Sequence, residues 1–156
     1  MALREIIKEG NLTLRKKSRP VTNFDEKLHT LLDDMYETMV DDEGIGLAAP
    51  QISVLRQVVV MEVDEESGRI ELINPEIIEE SGVQKSQEGC LSCPGRWGYV
   101  NRPEKVTVKA CDRDGNEFTL KAEGRLACCI CHEIDHLNGI LFIDKVTEWI
   151  KPQENE

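Results

Sequence analysis

Residues 125–137 read RLACCICHEIDHL. This segment follows Gly124, and its length and its apolar residues Ile130, Ile134 and Leu137 predict a buried helix. His132 and His136 stand four residues apart, so on a helix they lie one above the other on the same face. Two imidazoles placed that way can reach one metal ion. Glu133 lies beside that face, close enough to hydrogen-bond a water on the metal. Two nitrogen ligands and an adjacent carboxylate are the arrangement of metal-assisted hydrolysis. The chain has only three histidines, and two of them fall here. The plainer reading, two surface histidines on an amphipathic helix, is opposed by the apolar residues around them.

The residues before this helix read as strands. Lys105–Cys111 alternates Val106, Val108 and Ala110 with Lys105, Thr107 and Lys109. An Asp-Gly turn at 112–116 and a second run at 117–122 complete a hairpin. Residues 57–63 form a short β-branched run that reads as a buried strand, with a turn at 64–68 and a partner strand at 70–78. Nearer the start, Phe24, Leu28, Leu31, Leu32, Met35 and Met39 recur at helical spacing. They predict a helix over 24–41, capped by Asn23 and stopping before Gly44. Residues 144–150 are expected to form a last short helical piece and 151–156 to fray, the tail being counted from 147. The expected fold class is α+β, with mostly antiparallel strands packed around the buried helix that carries HEIDH. With no repeat, low-complexity stretch or linker, residues 1–156 read as a single catalytic domain.

Composition narrows the function. The chain carries 30 acidic and 19 basic side chains, a formal net charge of −11. Nucleic-acid binders show the reverse balance, so no nucleic-acid partner is expected. The small basic group Arg15-Lys16-Lys17 with Arg19 reads as a solvated turn. No apolar run approaches the roughly 20 residues of a membrane span. The first residues lack the pattern of a secretory signal, so a cytoplasmic protein without membrane contact is expected. In that setting the six cysteines, 90, 93, 111, 128, 129 and 131, are core residues or ligands rather than disulfides.

Two histidines leave one protein ligand unassigned if a position is kept for water. Asp135, Glu88, Asp144 and the cysteines are candidates, among them Cys128 and Cys129, which share the His132 face. Asp135 points away from that face and reads better as a partner to a ligand or to nearby backbone. Cys90 lies in a glycine-containing segment expected to be a loop. Cys90 and Cys93 form C-x-x-C, a spacing also found in redox and zinc pairs. Spacing alone does not choose between these.

Three segments together resemble the motifs of the peptide deformylase family. Residues 44–51, GIGLAAPQ, are similar to its G-x-G-L-A-A-x-Q. Residues 88–92 carry its E-G-C-L-S, and residues 132–139, HEIDHLNG, its H-E-x-D-H-L-x-G. The resemblance implies removal of the N-formyl group from formyl-methionyl peptides, releasing formate. It makes Cys90, His132 and His136 the ligands of one divalent ion, Fe(II) expected, with Zn, Ni or Co as substitutes. Metal-bound water is then the nucleophile, and Glu133 the general base and acid. Gln51 and the backbone N–H of Leu91 are the implied oxyanion donors. The methionine side chain is expected in a pocket walled by Ile45, Gly46, Glu88, Arg125, Cys128 and Cys129.

The sequence departs from the family pattern at three places near the site. Cys131 stands where glutamine is usual, Arg125 where an aliphatic residue is common, and Trp97 where a basic residue often follows E-G-C-L-S. Cys93 falls at a variable position and reads as packing. The short acidic end, KPQENE, differs from the long basic helix associated with ribosome docking, so docking by that route is not expected. A zinc endopeptidase would need a third ligand after His136, where only Asp144 and Glu148 are available. A closed structural zinc site would have no use for Glu133 or Gln51.

Overall fold

Alternating burial along the chain places two helices against opposite faces of one sheet. The computed structural model describes residues 2–151. Helix α1 (Glu26–Asp41) leads to strands β1 (Gly46–Ala48), β2 (Val58–Met61) and β3 (Ile70–Ser81). A hairpin of β4 (Gln84–Cys90) and β5 (Cys93–Arg102) follows, then the hairpin of β6 (Lys105–Cys111) and β7 (Glu117–Glu123). Helix α2 (Arg125–Leu137) and strand β8 (Val146–Ile150) complete the described chain. One sheet has the order β1-β2-β3-β6-β7 and the other β4-β5-β8, with antiparallel pairing between neighbouring strands.

Successive side chains on a strand point to opposite faces, which explains the unbroken apolar run of β2. Val59 and Met61 pack with Ala127, Ile130 and Leu137 of α2 on one face. Val58 and Val60 pack with Leu32, Met35 and Met39 of α1 on the other. Each such fully buried side chain contributes about 1.5–3 kcal/mol relative to exposure. A smaller cluster of Leu14, Cys93, Val100, Leu141 and Phe142 fills the space under the three-stranded sheet.

The predicted α+β arrangement around a buried HEIDH helix is what the chain forms, and α2 spans the predicted residues. Several boundaries differ. Helix α1 begins at Glu26 and is capped by Asp25, whose side chain accepts the Leu28 N–H at 3.1 Å. A carboxylate there both satisfies an unpaired donor and faces the positive end of the helix, so Asn23 is not the cap. Strand β3 continues to Ser81, past a register shift between Ile73 and Glu76.

Two expectations are corrected. The segment around Cys90 is not a loop: it is the end of β4, and Cys90 pairs with Cys93 across the turn Leu91-Ser92. The strand was hidden because its inward residues, Ser86 and Glu88, are polar. The helical piece expected over 144–150 is a 3-10 turn, Phe142–Asp144, followed by β8, which pairs with β5. Val146, Thr147, Trp149 and Ile150 are β-branched or aromatic and suit a pleated surface. Residues 147–150 of the expected tail are thus in a strand, while the fraying expected over 152–156 lies outside the described residues. No described helix is long and apolar enough to cross a membrane.

Candidate metal centre

Helix α2 presents His132 and His136 toward the tip of the β4–β5 hairpin, where Cys90 stands. The Cys90 Sγ lies 3.3 Å from His136 Nε2. Ligand atoms of Cys90, His132 and His136 all fall within 4.8 Å of one another, and both histidines are buried. Of the other candidates for third ligand, Asp144 accepts hydrogen bonds from Arg15 and from the Leu141 N–H, and Asp135 accepts from Arg102. Cys131 turns into the apolar core, where burial pushes its thiol up to about 12. Cys93 is buried in the cluster under the small sheet, as a packing residue would be.

A chain of charges holds the histidine face in place. Glu88 Oε1 accepts the His132 Nδ1–H at 2.9 Å, which leaves Nε2 as the ring's donor to an ion. Arg102, only 3% exposed, donates to both Glu88 oxygens at 2.8 Å and to Asp135 at 2.7 Å. Burial would raise the Glu88 carboxyl, but the bonds from Arg102 and His132 outweigh it and hold it at about 2. Arg102 stays charged: burial opposes its charge and the two carboxylates more than offset that. Neither Arg102 nor its role was found from the sequence. The only signal is an arginine at a position of β5 whose alternate neighbours, Gly98 and Val100, face inward.

Protonation states suit a divalent ion. Burial, with His132 and Arg102 nearby, holds His136 far below the ordinary histidine range, so it is the neutral imidazole a metal needs. Contact with Cys93, burial and the Glu133 charge all press Cys90 toward its neutral thiol. A bound cation reverses that balance, because the thiolate is the ligating form. Glu133 Oε1 and His136 Nδ1 are buried polar atoms without a hydrogen-bond partner among the described residues. Burial pushes Glu133 up to about 7, despite the opposing pull of His132. One sulfur, two ring nitrogens and an unpartnered buried carboxylate oxygen therefore fit a metal with a water beside it.

Glycine makes room for that carboxylate. A Cβ on Gly46 would stand 2.5 Å from Glu133 Oε2 and 3.0 Å from Cys129 Sγ. Gln51 sits in the 3-10 turn Ala49–Ile52, fully buried. Its Oε1 accepts the Ala48 N–H at 2.9 Å, and its Nε2 donates to Ser92 Oγ at 3.1 Å and faces Cys90 Sγ at 3.5 Å. The amide is thereby fixed with its donor end toward Cys90 and Ser92. Leu91 occupies the turn directly after Cys90.

A cavity of about 660 Å³ opens over these groups. Its lining includes Cys90, Gln51, Leu91, His132 and Glu133, and the predicted pocket residues Ile45, Gly46, Glu88, Arg125, Cys128 and Cys129. His136 lies behind them, 1% exposed. Gly89 and Trp97 also line the cavity, although the sequence reading did not place them in the pocket.

Comparison with known proteins gives a consistent result. The model of the family described as polypeptide deformylase matches residues 3–152. The chain is 56% identical to the peptide deformylase of Caldicellulosiruptor bescii over 156 residues, covering 100% of this chain and 93% of that one. It is 52% identical to peptide deformylase 1 of Bacillus cereus, with 100% of both chains covered. Among solved structures, a peptide deformylase from Thermotoga maritima superposes with a TM-score of 0.90 at 38% identity, over 93% of this chain and 98% of that one.

Proposed function

This chain belongs to the polypeptide deformylase family, and we propose that its chemistry is carried out by the Cys90, His132, His136 and Glu133 group. It is a metal-dependent hydrolase that removes the N-formyl group from nascent peptides. Cys90, His132 and His136 hold one divalent ion, which supplies Lewis-acid polarisation of water and of the formyl oxygen. Fe(II) is the ion proposed; Zn, Ni and Co share the preference for imidazole and thiolate donors.

Glu133 takes the proton from the attacking water and returns it to the leaving amine. A carboxyl near neutrality suits both transfers, since a proton carrier works best when its pKa lies near the working pH. The Gln51 side-chain amide and the Leu91 N–H donate to the formyl oxygen as negative charge develops there. Gln51 is held for this by Ala48 and Ser92, so it needs no reorientation when substrate arrives. Glu88 and Arg102 keep the His132 ring in its ligating orientation. The first methionine side chain is received between Ile45, Arg125, Cys128 and Cys129.

The observation that carries this reading is the unpartnered Glu133 oxygen, buried beside three convergent ligand atoms. Formate release from formyl-Met-Ala-Ser by Fe(II)-loaded protein, prepared without oxygen, tests it. Wild type should release formate and leave the acetylated peptide intact. Glu133→Ala should lose activity by about 10²–10⁴-fold with metal content unchanged. Full activity in that variant would contradict the role given to Glu133.

A further inference from the structure

Trp97 is 51% exposed, yet it lines the same cavity as the metal ligands. Its place follows from strand alternation. On β5, Gly98, Val100 and Arg102 are buried on the inner face of the small sheet, so Trp97 and Tyr99 stand on the opposite face. On β4, Ser86 and Glu88 face inward, and Gln87 and Gly89 outward. Gly89 has no side chain, and the indole fills that room: a Cβ there would lie 2.7 Å from Trp97 Cε3 and Cζ3. The ring therefore leans across β4 toward the outer edge of the small sheet.

That edge borders the cavity. β4 is the terminal strand in the order β4-β5-β8, and Gln87, Glu88, Gly89 and Cys90 all line the opening. An edge strand presents backbone donors and acceptors that an extended peptide can join as an added strand. Consecutive side chains of such a peptide point to opposite faces. With the methionine turned inward to Cys128 and Cys129, the next side chain turns outward, to the face on which the Trp97 ring lies. An added strand neighbours β4 and not β5, so the contact is made by the indole lying over Gly89 and reaching across β4.

We propose that Trp97 is a specificity-determining residue for the position directly after the formyl-methionine, selecting aromatic and bulky apolar side chains there. This rests on the site assignment above. The six-membered part of the ring lies against Gly89, and about half of the residue's surface stays exposed, apolar surface open to a substrate side chain. Offset or edge-to-face aromatic contact corresponds to a preference of about three- to tenfold.

The test compares kcat/KM for formyl-Met-Phe-Ala, formyl-Met-Ala-Ala and formyl-Met-Asp-Ala in the metal-loaded wild type, Trp97→Ala and Trp97→Tyr. The wild type should favour Phe over Ala by about three- to tenfold, mainly through KM. The ratio should fall to near one in Trp97→Ala and return in Trp97→Tyr. Equal values for Phe and Ala in the wild type, or a ratio that survives Trp97→Ala, would overturn the proposal. A uniform loss across all peptides would overturn it too, leaving the ring as packing on Gly89. Absence of formate from every peptide would instead overturn the site assignment on which it depends.

Discussion

At Arg102 a buried cation meets the buried Glu88 and the partly exposed Asp135, which Lys145 also approaches at 3.0 Å. Two carboxylates, Glu88 and Asp135, share one guanidinium that is almost fully buried. Removing the cation leaves two carboxylates without their main partner, so Arg102→Met should lower unfolding free energy by about 3–5 kcal/mol in a denaturant titration. A change below 1 kcal/mol would mean that water reaches these groups. Gly46 makes a different prediction. A methyl group there meets the end of Glu133, which can swing aside at little cost to folding but not to proton transfer. Gly46→Ala should keep its melting temperature and metal content while formate release falls by about 10²-fold. Loss of metal along with activity would show that the ligands, not the carboxylate, had moved. Of these residues Glu133 and Gly46 were legible in the sequence, the first from helical spacing and the second through family resemblance. Arg102 was not, because its partners come from β4 and α2, which no local pattern joins to β5.

The elements divide by how their buried faces are made. Helix α2 was legible to the residue because a glycine precedes it and its apolar positions keep one period. The β4–β5 hairpin was not, because Ser86, Glu88 and Arg102 occupy its inward face, where a strand pattern expects apolar side chains. The polar face that obscured the hairpin also serves the candidate site: Glu88 orients His132, and the end of β4 carries Cys90. Strand β8 is not legible in the sequence, because a short apolar run has no period of its own and the pairing with β5 is tertiary. The end of α2 depends on Gly139, whose φ is +75° and whose missing Cβ would collide with the Arg15 carbonyl oxygen. Both the left-handed backbone and the close approach exclude a side chain. Gly139→Ala should cost about 1–3 kcal/mol of stability, read as a lower denaturation midpoint. An unchanged midpoint would show that the Leu12–Arg15 turn yields freely.

Across the whole molecule, the N-terminal segment ties the two halves of the site together. Arg4 and the Ala2 N–H bind Asp34 on α1, the Ile7 N–H reaches the Gln51 carbonyl, and the Glu9 N–H reaches that of Ser92. Burial would raise the Asp34 carboxyl, but those two partners outweigh it and hold it below the ordinary 3.8. A group depressed in the folded state stabilises above its unfolded value and loses that contribution as pH falls through the folded one. The stability gap between wild type and Asp34→Asn should therefore be full above pH 3.8 and shrink below it. A gap constant through acid would contradict this. One sulfur and two imidazoles, from β4 and α2, are proposed to hold a single catalytic ion. Co(II) loading of the wild type, Cys90→Ala and Cys93→Ala tests this, with stoichiometry and the thiolate-to-metal absorption band read together. One ion per chain is expected, with a band that persists in Cys93→Ala and vanishes in Cys90→Ala. A band that survives in Cys90→Ala, or that needs both cysteines, would contradict it and point to a different coordination sphere.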